Sequence, residues 1–135
     1  MDTVSPARRS EIMGRVRSRD TGPELTVRRL VHSLGYRYRL HARDLPGHPD
    51  LVFRPRMKVI FIHGCFWHRH HDCELTRMPK SRQGFWFAKF KANRLRDRRT
   101  ERALRRAGWQ VLTVWECEIQ DAQALEKRIR RFLDA

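Results

Sequence analysis

The chain has 135 residues, 40% of them apolar, enough for a single compact domain with one core spanning residues 1–135 and too few for two. Thirty Lys and Arg against fifteen Asp and Glu leave a net charge of +15, far beyond what solubility requires, and such an excess points to a polyanion, most often nucleic acid. No apolar run approaches the ~20 residues of a membrane span, and the charged stretch from Met1 to Arg19 lacks the apolar core of a signal peptide, so the expected compartment is the cytoplasm, with no membrane partner.

Ser5-Pro6 pairs an N-cap with proline at the first helical position and opens a short basic helix to about Val16. Thr21-Gly22-Pro23-Glu24 fits a capping box, and Leu25, Leu30, Val31 and Leu34 recur at helical spacing until Gly35 closes the helix. Tyr36-Arg37-Tyr38-Arg39-Leu40 alternates in polarity like a half-buried strand. After the turn-rich Leu45-Pro46-Gly47-His48-Pro49 come the short apolar strand Asp50 to Phe53 and, past Arg54-Pro55-Arg56, the run Val59 to Ile62. The pair reads as a hairpin whose second strand is buried on both faces.

The segment Cys65-Phe66-Trp67-His68-Arg69-His70-His71-Asp72-Cys73 combines soft metal ligands with bulky aromatics. Two cysteines bracketing several histidines supply three of the four tetrahedral ligands zinc takes, and Cys117, the one other cysteine, is the candidate for the last. Three cysteines in a secreted chain would leave one unpaired, whereas reduced thiolates suit a metal. The plainer reading is an exposed His-rich loop with unrelated cysteines.

Phe85 to Ala107 carries strong helix formers with Gly108 as the stop, making one long helix or two joined at a kink. Its middle, from Arg94 to Arg106, is heavily cationic. Alone this is a solvated face; with the global excess it suits phosphate contact. Val111 to Trp115 forms a further strand, parallel to its neighbour if the long helix is the crossover, and an amphipathic helix from about Gln123 to Leu133 follows. The order predicts an α/β fold, a mixed sheet covered by helices on both faces.

Asp50 at a strand entrance, with His63 ending the next strand, partly matches the PD-(D/E)xK nuclease arrangement, although Phe61 stands where a second acid would be and His63 where the lysine would be. The likeness becomes specific with Leu45-Pro46-Gly47-His48-Pro49-Asp50, Val59-Ile60-Phe61-Ile62-His63-Gly64-Cys65-Phe66-Trp67-His68, Phe85-Trp86, Arg96-Asp97-Arg98-Arg99 and Val114-Trp115-Glu116-Cys117, preceded by Arg19-Asp20-Thr21 and Glu24. Together these resemble the very-short-patch-repair (Vsr) endonuclease family. The resemblance implies a restriction-endonuclease-like fold with a structural zinc site. It also implies a Mg²⁺-dependent nuclease that nicks DNA 5′ of the thymine in T·G mismatches left by deaminated 5-methylcytosine. The implied partner is double-stranded DNA with a mismatch, met at the nucleoid by a monomer, with mismatch-repair proteins as further partners.

By matching motif, the resemblance assigns Asp50 and the backbone carbonyl of Ile62 to Mg²⁺, His68 to proton transfer, His63 and Asp97 to the organisation of water at the metal, and Glu24 to the active site. A hard cation can bind one carboxylate, one carbonyl and several waters, so the missing second acid is not fatal. Glu24 also has an adequate structural role as capping-box acid, and Asp97 as a helical acid paired with arginines. The zinc ligands become Cys65, Cys73, Cys117 and a histidine. Counting from Cys73 selects His71, which a tight His-x-Cys turn favours; counting from Cys65 selects His70. Phe66, Trp67 and Trp86, ordinary core residues in another context, take the place of family aromatics that wedge into the duplex beside the mismatch. Two departures stand out: Ile62 replaces a threonine, and the zinc loop is one residue longer. Two rival functions are a related nuclease with other mismatch or sequence preferences and a zinc-bearing DNA-binding module without catalysis.

Overall fold

In the computed structural model, which describes residues 21–70, 76 and 78–135, helix α1 spans Gly22–Ser33 and begins as its sequence dictates. The Thr21 side chain accepts the Glu24 backbone N–H at 3.3 Å, and proline occupies the first turn. At the other end Gly35, at φ +94°, sends its N–H to the His32 carbonyl while Tyr36 N–H reaches the Val31 carbonyl. This Schellman closure brings Tyr36 against Val31 in the core. The expected helix from Ser5 to Val16 lies outside the described residues, as do Arg19 and Asp20.

Four strands follow in the spatial order β1-β2-β3-β4: Arg39–Leu40, Leu51–Phe53, Lys58–His63 and Gln110–Trp115. β1, β2 and β3 are antiparallel neighbours. The β2–β3 hairpin turns through a 3-10 segment at Arg54–Arg56 and a left-handed Met57. β3 and β4 are parallel, in register from Lys58 opposite Gln110 to His63 opposite Trp115. The strand expected from Tyr36 shrinks to two residues. Tyr36 and Tyr38 follow the alternation by turning inward, but β2 offers only three residues to pair with.

Between β3 and β4 run a one-turn helix, α2 (Cys65–His68), and the unbroken 24-residue α3 (Gln83–Arg106). A second Schellman closure ends α3: Gly108 N–H bonds to the Arg105 carbonyl and Trp109 N–H to the Leu104 carbonyl. A 3-10 segment at Glu116–Gln120 leads into α4, Ala122–Asp134, capped by Asp121.

One sheet face presents Leu51, Phe53, Ile60 and Val114 to Val27 and Val31 of α1 and to Leu125, Ile129 and Leu133 of α4. The other presents Val52, Val59 and Phe61 to Leu104 of α3 and to Trp109. Each fully buried aliphatic side chain contributes about 1.5–3 kcal/mol, so these two layers fix the sheet rigidly. What they position is the C-terminal end of β3.

Candidate active site

Asp50 enters β2 with its carboxylate turned toward the hairpin partner. Its Oδ2 accepts the Ile62 backbone N–H at 2.7 Å, and its own carbonyl accepts the His41 N–H at 3.2 Å. Glu24 reaches in from α1 with only 2% of its surface exposed. Its Oε2 lies 2.9 Å from His41 Nε2 and 3.3 Å from Arg28 Nη1. Thr21 thus caps the helix through the Glu24 N–H, while the Glu24 carboxylate, expected as the capping-box acid, lies in this cluster. One potential ligand atom each from Glu24, His41 and Asp50 falls within 4.8 Å of the others. Burial, and then the neighbouring Glu24, push the Asp50 carboxyl up to about 7 against the opposing pull of the Ile62 N–H. Carboxylate oxygen is what a hard divalent ion takes. The donor set therefore fits such an ion.

Next along β3, His63 faces the opposite layer. Its ring stacks on that of His68 at 3.8 Å and 5° between planes, with Trp115 packed edge-on at 5.3 Å. His68, the last residue of α2, places Nδ1 at 2.6 Å from Oδ2 of Asp97 on α3. An ionised carboxylate only accepts, so Nδ1 carries the proton and Nε2 of a neutral His68 keeps its lone pair. Burial, and next His68, lower the His63 imidazole to about 4. His63 is thus neutral at physiological pH. These groups line a cavity of about 370 Å³ whose wall also carries Arg94, Arg98 and Thr113. The cavity joins a potential base to cationic side chains suited to phosphate.

The expected set Asp50, His63, His68, Asp97 and Glu24 therefore collects around one strand end, in two groups joined by the Ile62-His63 peptide. His41 was not among the expected residues. Only its left-handed backbone, at φ 48°, turns its ring toward Glu24, and no local pattern announces that turn.

Cys65 opens α2 and is fully buried; Cys117 lies in the 3-10 segment after β4. His70 Nδ1 stands 3.7 Å from Cys65 Sγ and 3.3 Å from Cys117 Sγ. The left-handed Arg69 that ends α2 turns the chain so that His70 stacks on Trp115 at 4.4 Å. Of the two histidines weighed from the sequence, His70 occupies the place between the sulfurs. His71 and Cys73 lie outside the described residues. Two cysteine sulfurs and an imidazole nitrogen within 4.8 Å of one another are a donor set that suits zinc.

Phe66 and Trp67 on α2 meet Trp86 on α3 as a cluster of half-buried rings, 5.2 to 5.8 Å between centroids. Phe90 packs below them and Asn93 donates to the Trp67 carbonyl at 3.1 Å. Phe85 and Phe87 beside Trp86 are 49% and 62% exposed. The arginines of α3 from Arg94 to Arg106 all stand at the surface, so the cationic stretch is open to a partner.

The chain has clear relatives among known proteins. A family model described as DNA mismatch endonuclease Vsr matches residues 1–75. The type II nicking enzyme V.XorIIP of Xanthomonas oryzae pv. oryzae is 54% identical over 98% of this chain and 97% of its own length. The type II nicking enzyme V.NmeAIP of Neisseria meningitidis is 36% identical over 98% and 94%, and DNA mismatch endonuclease Vsr of Escherichia coli is 41% identical over 92% and 79%.

Proposed function

Because the chain belongs to the Vsr family of DNA mismatch endonucleases, and so is a DNA endonuclease, we propose that it nicks one strand on the 5′ side of the thymine in T·G mismatches by Mg²⁺-dependent hydrolysis. We take its mixed sheet to be a restriction-endonuclease-like core and all 135 residues to form one domain acting as a monomer in the cytoplasm. The observation that carries the reading is the meeting at the end of β3 of a buried carboxylate pair, Asp50 with Glu24, and an imidazole pair, His63 with His68.

In this reading Asp50, with Glu24 beside it and the Ile62 carbonyl next to it, holds Mg²⁺. When bound there, the ion supplies the positive charge that offsets the negative charge added to the phosphate in the transition state. His68 accepts the proton of the attacking water at Nε2, while Asp97 fixes its tautomer and steadies the imidazolium that results. His63, neutral and stacked on His68, orients water without competing for the proton. Arg94 and Arg98 neutralise the flanking phosphates.

Cys65, His70, Cys73 and Cys117 hold a structural zinc, His70 being preferred to His71 because of its 3.3 Å approach to Cys117. With zinc bound, these residues would hold closed the turn that carries His68. Phe66, Trp67 and Trp86 wedge beside the mismatch, where a wobble pair has already weakened stacking and lowers the few-kcal/mol cost of opening it.

A panel of labelled duplexes carrying every mismatch, incubated with Mg²⁺ or EDTA, tests this. The expected result is a single-strand cut next to T·G only, lost in EDTA and in Asp50→Ala and His68→Ala. Equal cutting of matched DNA removes the mismatch assignment. Intact binding with no cleavage under any divalent ion leaves a zinc-bearing DNA-binding module. The 54% identity to a type II nicking enzyme favours, as second reading, a nickase tuned to the recognition sequence of a companion restriction system. Varying the bases around the mismatch separates that from a context-free enzyme.

A further inference from the structure

Alongside the cation Arg28, whose Nη1 lies 3.3 Å from Glu24 Oε2, His41 is a potential metal ligand at the carboxylate pair that the nuclease reading leaves unused. Its position is built rather than incidental. The residue takes a left-handed backbone, φ 48°, which is uncommon outside glycine, and its N–H is tied to the Asp50 carbonyl at 3.2 Å. Those two constraints swing the ring inward, so that only 15% of the side chain is exposed and Nε2 comes to 2.9 Å from Glu24 Oε2. One atom each of His41, Glu24 and Asp50 lies within 4.8 Å of the others. Around an octahedral ion with bonds near 2.1 Å, adjacent ligand atoms stand about 3 Å apart and opposite ones about 4.2 Å. The 2.9 Å between His41 Nε2 and Glu24 Oε2 is the separation of adjacent ligands, and the 4.8 Å that bounds the whole cluster is close to that of opposite ones.

We propose that His41 Nε2 is a direct ligand, with Glu24 and Asp50, of the ion at this site, making a two-carboxylate, one-imidazole set that takes Mn²⁺ in preference to Mg²⁺. The proposal rests on the nuclease reading of Asp50. Its chemical basis is the nitrogen donor. Mg²⁺ is hard, holds its waters tightly and gains little from imidazole, whereas a first-row ion gains from exchanging water for nitrogen. His41 therefore raises affinity for Mn²⁺ and leaves that for Mg²⁺ nearly unchanged. With two acids already present, the imidazole adds selectivity without adding charge.

The test uses the full-length, zinc-loaded protein and Mn²⁺ itself. Pulsed electron paramagnetic resonance on bound Mn²⁺ is expected to detect nitrogen coupling from one imidazole. In His41→Gln, whose folding is checked by circular dichroism, that coupling disappears. Mn²⁺ affinity there falls about tenfold, while Mg²⁺ affinity measured by competition changes less than about twofold. Asp50→Asn abolishes Mn²⁺ binding. If Mn²⁺ binds in an Asp50-dependent way without nitrogen coupling, or if His41→Gln weakens both ions equally, His41 is no ligand and the nuclease reading stands. If Asp50→Asn leaves Mn²⁺ binding intact, the Asp50 site and the His41 proposal fall together.

Discussion

His68 and Asp97 approach to 2.6 Å across the α2–α3 junction, a short polar contact in the wall of the candidate active site. Asp97 is partly exposed, so the pair is not buried for stability, and an exposed ion pair contributes only about 0–1 kcal/mol. Its value lies in orientation: a carboxylate on Nδ1 leaves Nε2 as the free base.

Asp97→Asn preserves the shape but can donate to Nδ1 and so stabilise the other tautomer. The expected loss in kcat is about 10²–10⁴-fold with DNA affinity unchanged, below or equal to the loss in His68→Ala. Single-turnover nicking and a binding titration on the same duplex read the two quantities. A variant with normal turnover removes Asp97 from the proton-transfer machinery.

Zinc removal is expected to act on position rather than on chemistry. Cys65 and His70 flank the turn bearing His68, and Cys117 anchors it to the end of β4. Cys117→Ser, or exhaustive chelation, should free that turn to early proteolytic cleavage near residues 65–76 and abolish nicking, while the helical circular dichroism of α3 and α4 largely persists. Full activity in protein shown by elemental assay to be zinc-free would dismiss the structural role.

Much of this arrangement is legible in the chain because it depends on local chemistry. Thr21 caps a helix by its hydroxyl, Gly35 and Gly108 end helices by their positive φ, and Val59–Ile62 and Val111–Trp115 pair in parallel because a helix must cross between them. What escapes is decided by tertiary contacts. The polarity pattern at Tyr36–Leu40 foretells inward tyrosines correctly, yet strand pairing there depends on the length of β2. Asp97 reads as one more acid among arginines until α2 packs on α3. In the sequence a tight His-x-Cys turn favours His71, whereas the left-handed Arg69, a feature no local pattern announces, turns His70 to the sulfurs of Cys65 and Cys117. His41 is hidden for the same reason, since its ring direction follows from one dihedral angle.

Lys58 offers a stability prediction that the active site does not confound. It is 3% exposed, and its ammonium donates to the backbone oxygens of Phe132 and Ala135, both at 2.7 Å, and of Leu133 at 3.2 Å. A buried cation thus caps the C-terminus of α4, where the helix dipole is negative. Lys58→Met keeps the stem and deletes the donors, taking the ammonium from the half-buried Phe132 carbonyl and leaving Leu133 with Arg56 Nη1 at 2.8 Å as its side-chain donor. The expected cost is about 1–3 kcal/mol, read from the urea midpoint with an unchanged m-value. A smaller effect means that water replaces the ammonium.

His63 sets an acid-side dependence of stability. Its folded pKa of about 4 lies below the ordinary 6.5, chiefly through burial. Between those values the unfolded chain binds a proton that the folded chain refuses, so stability falls as pH drops through that window. The slope from this one group reaches at most about 1.4 kcal/mol per pH unit and vanishes above the unfolded value. His63→Gln retains a polar planar side chain without the titration. Urea midpoints of wild type and variant, taken with zinc bound at pH 7.5, 6 and 5, should converge or cross as pH falls, because wild type loses stability faster. Parallel curves would mean that His63 takes up its proton equally well folded and unfolded, and that solvent reaches the ring behind His68 and Trp115.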